Sequence, residues 1–351
     1  MMALPKHAEL WLSGLIRDRI ARMLHAPEPV THLWLMIGDH YEPFWDQPDE
    51  ATAHARVQAW AQQWPHIADR HRDHLDRPAQ YTFFYPQEEY RPGLIEPLAQ
   101  MTHAGIADVE IHIHHDNDGE AAFVANMAEF IRALRHDHGL LRDKGGKPTF
   151  GFIHGNWALD NSHPSGKWCG LNNELTLLRQ LGCYADFTMP AAPDRCQTQR
   201  VNSIYWAVDD PDRPKSHDDG IPVTPGGTPP ADALLMVQGP LAIRWPRDRW
   251  PRPALDAGEL AGHDPVTAGR VTAWLDHAPQ VGTHKFLKLH AHGAPEKNAE
   301  PLLGHDLDAL FTLAKAAAAV RGWQLVHATA WQCAQAIRAV AAGHDPIDQM
   351  R

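Results

Sequence analysis

The ten residues VEIHIHHDND at 109–118 constrain this chain more than any other stretch. Val109, Ile111 and Ile113 alternate with Glu110, His112 and His114, so an extended segment has one apolar face and one polar face. In a sheet covered by helices, the apolar set packs outward and the polar set faces a barrel interior or cleft. His115, Asp116, Asn117 and Asp118 follow at the strand end, where a single turn would bring Asp118 beside His114. Imidazole nitrogens and carboxylate oxygens are the donors that a divalent zinc, cobalt or nickel ion accepts while keeping water as a further ligand. The competing explanation is histidine richness alone, because 25 of the 351 residues are His.

The rest of the chain supplies the frame for such a strand. Strand-like apolar runs fall at 32–38, 81–85, 109–114, 149–153, 183–189, 233–238, 285–290 and 323–327. Helical stretches near 50–75, 92–103, 120–140, 173–181, 267–275, 305–320 and 330–342 separate them, a rhythm that predicts an α/β fold with a mainly parallel sheet. Seven or eight such units suit a β/α barrel better than an open sheet. We expect an N-terminal amphipathic cap helix over 1–30 and a single barrel domain over 31–345. Prolines crowd 190–232 and fix extended and turn conformations there, which predicts a structured excursion or lid. The apolar run SIYWAV at 203–208 argues against a disordered linker, in which it would be left wet.

Composition removes several classes of function. The net charge is −11 with histidines neutral, and no cluster of five or more Lys/Arg occurs, so no nucleic-acid partner is expected. Cys169, Cys183, Cys196 and Cys333 lack CxxC spacing, which predicts buried free thiols rather than a disulfide framework. Arg17, Asp18, Arg19 and Arg22 interrupt the first helix, and no signal-peptide core tolerates that, so the expected compartment is the cytoplasm. No apolar run reaches the roughly 20 residues needed for a membrane span, although the first helix could touch a membrane peripherally.

Polar residues gather at the predicted C-terminal strand ends, where β/α folds place their sites. Asp39, His40 and Glu42 follow the first strand; His154, Asn156 and Trp157 end the fourth; His290 and His292 end a late one on the same face as Lys288. The order of these motifs resembles the polysaccharide deacetylase family, the NodB-like carbohydrate esterases. GDHYEPFW, YTFFYPQ, HIHHDND, LGCYADFTMP and LKLHAHG stand where that family carries its motifs, over roughly residues 30–295. The resemblance implies an irregular seven-stranded β/α barrel. It assigns Asp39 as catalytic base and His40, His114 and Asp118 as ligands of one divalent transition metal, zinc first with cobalt or nickel as alternatives. A histidine thus stands for the family's usual second carboxylate, and Asp118 for its second histidine.

The implied activity is removal of an N-acyl group, acetyl first, from a saccharide or glycan-precursor substrate. Metal chemistry would polarise the acyl carbonyl and make water nucleophilic near neutral pH. Asp39 would take the water's proton and His290 would protonate the leaving amine, with His292 its rival. His112 reads as support behind a ligand, as does His292 where it is not the acid, and His154, Asn156 and Trp157 read as a sugar-binding wall. Two other classes stay open. One is a related barrel glycosidase, with Asp39 or Glu42 opposite Asp116, or a phosphoesterase with HxH ligands; the other is an inactive barrel that binds sugar.

Overall fold

The computed structural model describes residues 4–24, 27–245 and 251–350. Its strands begin with β1 (His32–His40), β2 (Tyr81–Pro86), β3 (Ala107–Ile113), β4 (Arg142–Lys144), β5 (Lys147–His154), β6 (Cys183–Asp186), β7 (Ile204–Val208) and β8 (Ile221–Pro222). They continue with β9 (Ala233–Val237), β10 (Ala242–Arg244), β11 (Ala254–Asp256), β12 (Glu259–Leu260), β13 (Gln280–Val281), β14 (His284–Ala291) and β15 (Gln324–His327). The helices are α1 (Ala8–Leu24), α2 (Glu50–Arg70), α3 (Pro92–His103), α4 (Gly119–His136), α5 (Glu174–Leu181), α6 (Ala268–His277), α7 (Glu296–Pro301), α8 (Leu307–Val320) and α9 (Ala330–Ala341). Local chemistry sets several helix starts. Asp49 accepts from the Thr52 amide, and Thr329 with Gln332 forms a capping box that satisfies two amides at the start of α9.

One mixed, mostly parallel sheet of 13 strands organises the chain, with β10 and β11 paired separately. Its path runs β12-β14-β1-β2-β3-β5-β6-β9-β7-β8, with β15 also paired to β1. Every expected apolar run becomes a strand of this sheet. SIYWAV forms β7, an antiparallel neighbour of β9 in register Ile204 with Val237, so the proline-rich excursion contributes to the sheet. The path bends until the chain just after β9 meets β14. A Cβ on Gly239 would lie 2.6 Å from the Lys288 carbonyl oxygen, and the Lys288 ammonium donates to the Met189 carbonyl at 3.1 Å.

Side-chain alternation sorts the core into two layers. Leu33, Leu35 and Ile37 of β1, Val109, Ile111 and Ile113 of β3, and Leu287, Leu289 and Ala291 of β14 pack with α2, α3, α4, α6 and α8. Trp34, Met36, Phe84, Ile153 and Phe286 face the other way, onto Ala330, Cys333, Ala334 and Ile337 of α9. That inner face is apolar where α9 covers it and becomes polar toward the strands' C-terminal ends. The first helix docks on the excursion through Trp11, packed with Ala192, Val201 and Leu241. Gly14 permits this approach, since a Cβ there would overlap the Gln199 carbonyl. Among the described residues, no helix is long and apolar enough to cross a membrane.

Candidate metal centre

Two groups of side chains among the described residues could hold a metal ion, and both sit at the C-terminal ends of β3 and its neighbours. The first comprises Glu42, two residues past β1, His112 on β3, and His114 just after it. Glu42 Oε1 lies 3.2 Å from His112 Nε2 and 3.3 Å from His114 Nε2. The outer nitrogens decide what these atoms can do. His112 Nδ1 donates to the Ile153 carbonyl at 2.8 Å, and His114 Nδ1 donates to Glu88 Oε1 at 2.5 Å. Each ring therefore turns its Nε2 inward, the arrangement in which a supporting acceptor fixes the tautomer of a metal-ligating histidine. Two imidazole nitrogens and one carboxylate fit a divalent transition metal with coordination positions left open.

Electrostatics agree with that geometry. Burial would lift the Glu42 carboxyl, but hydrogen bonds from His112 and His114 outweigh it and hold the group well below the usual carboxylate range. For His114, burial opposes the charge, yet Glu42 and Glu88 raise its pKa to about 10. Raised in this way, His114 holds a proton that a cation bound at this point would have to displace.

Three further imidazoles share the inner face. His40 lies 4.7 Å ring to ring from His292, 5.1 Å from His112 and 6.0 Å from His290. Burial, reinforced by the neighbouring imidazoles, holds His40 well below its ordinary pKa, and burial with Lys288 does the same for His290. Burial also lowers His292 and brings the Lys288 ammonium down to about 7. His40 Nε2 and Glu42 Oε2 are buried and find no hydrogen-bond partner among the described residues. Beside them opens a cleft of about 390 Å³ lined by Trp45, Trp157, Glu259, His263, His292 and Lys297 among others.

Several of the expected residues lie apart from the Glu42, His112 and His114 group. Asp39 is not beside the centre, because adjacent strand residues face opposite ways. It points into the helix layer, where it accepts from Tyr81 Oη at 2.8 Å and the Gly293 amide at 2.7 Å. Burial lifts its carboxyl to about 7 against those two hydrogen bonds. Asp118 does not join His114: β3 ends at Ile113, and Asp118, at the N-terminus of α4, accepts from His115 Nδ1 at 2.9 Å instead. His40 faces the right interior but stands outside the Glu42, His112 and His114 group. His112, expected behind a ligand, has its Nε2 within that group.

The expected sugar wall divides. Trp157 stands 6.1 Å ring to ring from both His40 and His292 and lines the cleft. His154 is fully buried with its Nε2 turned to His115, so it cannot meet a substrate. Asn156 is half-buried with φ of 54° and is not among the cleft residues. His292 lines the cleft, whereas His290, 5% exposed, does not.

The second group joins His115, His154, Cys169 and Glu174. Cys169 and Glu174 carry no motif in the sequence. Their only signal there is position, in the loop and helix start that follow the histidine-bearing end of β5. No protein-family model matches the chain, and no curated protein matches it.

Proposed function

We propose that this chain is a metal-dependent hydrolase that removes an N-acyl group, acetyl first, from a saccharide or glycan precursor. The observation that carries the reading is the convergence of Glu42 Oε1, His112 Nε2 and His114 Nε2 at the C-terminal edge of a parallel sheet, beside a cleft walled by two indoles. Two imidazoles and a carboxylate match the donor chemistry of the deacetylase family that the motifs resemble, although Glu42 and an HxH pair replace the expected residues. The approach of the chain after β9 to β14 supports an irregular barrel in which β14, β1, β2, β3, β5, β6 and β9 are the seven principal staves.

Glu42, His112 and His114 would hold the ion, which would supply Lewis-acid polarisation of the acyl carbonyl and activation of water. The remaining steps belong to side chains. Trp45 and Trp157 present indole faces to a sugar ring and exclude water from one side of it. Neutral His40, whose Nε2 finds no partner among the described residues, would accept a proton from the attacking water. His292, in the cleft wall and neutral at rest because burial lowers its pKa, would pass the proton taken from water to the departing nitrogen, because an amine is a poor leaving group unless protonated. Lys288 and His290 lie deeper and hold the field around those imidazoles. Asp39 drops out of the reaction and acts as a clamp between β1, β2 and the segment after β14.

The test is acetate release from N-acetylated chito-oligosaccharides by the zinc-loaded protein. Acetate with intact glycosidic bonds supports the reading; shortened oligosaccharides without acetate would replace it with a glycosidase.

A further inference from the structure

The second cluster lies behind the first, since His115 follows His114 directly, yet it differs in kind. His154, Cys169 and Glu174 are wholly buried and His115 is 9% exposed. His115 Nε2 is 3.0 Å from His154 Nε2 and 3.1 Å from Glu174 Oε1, and His154 Nε2 is 3.3 Å from the same oxygen. Both outer nitrogens are engaged. His154 Nδ1 donates to the Gly155 carbonyl at 2.6 Å and His115 Nδ1 to Asp118 at 2.9 Å. Two imidazole Nε2 atoms and a carboxylate oxygen therefore face one point, which either a shared proton or a cation can occupy.

Cys169 favours the cation. Its thiol donates to Glu174 Oε2 at 3.4 Å, a proton that a cation would displace, and the amides of Asn161 and Leu171 point at the sulfur from 3.2 and 3.4 Å. Two backbone N–H donors aimed at one sulfur suit a thiolate, the form in which cysteine ligates metal. Glu174 Oε2 also accepts the Asp160 amide at 2.6 Å, which orients the carboxylate. A shared proton needs neither the fourth donor nor this outer set of hydrogen bonds, whereas a tetrahedral ion uses all of them.

We propose that His115, His154, Cys169 and Glu174 form a closed, four-ligand zinc-type site that is structural and separate from the Glu42 centre. The thiolate selects a soft or borderline transition metal over magnesium or calcium, and burial leaves no position for water. The site ties the ends of β3 and β5 to the loop leading into α5. That segment holds Asn156, Trp157, Asp160, Asn161 and Trp168 at positive φ, conformations that non-glycine residues keep only when their surroundings enforce them. Trp157 among them forms the cleft wall, so the structural ion would set the shape of the candidate active site from behind.

Cobalt(II) substitution of the full-length protein separates the two centres, because only this one contains sulfur. The expected result is two cobalt ions per chain with a near-ultraviolet thiolate-to-cobalt charge-transfer band. Cys169→Ser should abolish the band and one equivalent, while His112→Ala should remove the other equivalent and keep the band. One cobalt with the band would support this site and remove the Glu42 centre. One cobalt without the band, no cobalt, or a band that survives in Cys169→Ser would overturn the proposal. Should Cys169→Ser fail to fold, the wild-type spectrum and stoichiometry decide alone.

Discussion

Glu88 touches no candidate donor atom except through His114, so it tests whether the tautomer lock matters. It stands in the short turn after β2 and accepts twice from one residue, from His114 Nδ1 at 2.5 Å and from the His114 amide at 3.3 Å. Removing a carboxylate behind a ligating histidine typically costs about 10- to 100-fold in metal affinity, or roughly 1.4–2.8 kcal/mol. The two substitutions should differ. Glu88→Gln keeps an oxygen to receive Nδ1–H but loses the charge, and a neutral hydrogen bond is about half as strong, so about tenfold or less is expected. Glu88→Ala leaves the ring free to turn and should lie near the hundredfold end. Competition against a chromophoric chelator at one neutral pH, with circular dichroism to confirm folding, gives both affinities. Equal affinity in all three proteins would refute the argument, and complete loss of metal in Glu88→Gln would make Glu88 a ligand itself.

Other outcomes follow from the same structure. His114 holds a proton up to about pH 10 without the ion, so metal affinity should fall as pH falls below that value, by up to about tenfold per unit, with proton release on binding; a flat profile would contradict it. His284, buried and beside His32, is pushed from 6.5 to about 4, and its Nδ1 accepts from Trp34 Nε1 at 3.1 Å. The unfolded chain then binds the extra proton first, so stability is complete above 6.5 and lost as pH falls toward 4, by an order of ~3 kcal/mol. His284→Gln should flatten that part of the pH–stability curve relative to wild type, and parallel curves would exclude His284. Asp39→Ala should cost roughly 1–3 kcal/mol in denaturant unfolding, since it leaves the Gly293 amide and Tyr81 hydroxyl unpaired, with metal content unchanged. Loss of metal in that variant would return Asp39 to the centre. His292→Ala should cut amide hydrolysis by roughly 10²–10⁴ while sparing an activated ester, and equal losses on both would indicate positioning instead.

The frame was legible because most of its signals are local. Short apolar runs marked the strands, with period-two alternation clear at 109–114 and 285–292, and the longer stretches between them marked the helices, whose starts Asp49 and Thr329 cap in the structure. The short pieces β8, β12 and β13 carry too few residues for a period to show. The SIYWAV run could be seen as buried but not as paired, since its partner β9 lies beyond a proline-rich stretch.

At the site, alternation alone places Asp39 opposite His40, and the structure follows it, whereas Glu42 lies past the end of β1 where no strand pattern applies; the family pattern of adjacent residues points elsewhere. Asp118 failed by one residue of turn geometry, which a strand pattern does not encode. Cys169, Glu174 and Glu88 come from loops, turns and a helix start, where no periodicity announces which side chain turns inward.

Anomalous diffraction from crystals of the zinc-loaded protein, recorded on both sides of the zinc edge, tests the central claim most directly. The expected map has a peak bonded to Glu42 Oε1, His112 Nε2 and His114 Nε2 at about 2.0–2.2 Å. A map in which those three atoms surround no peak while the protein binds zinc elsewhere would contradict it.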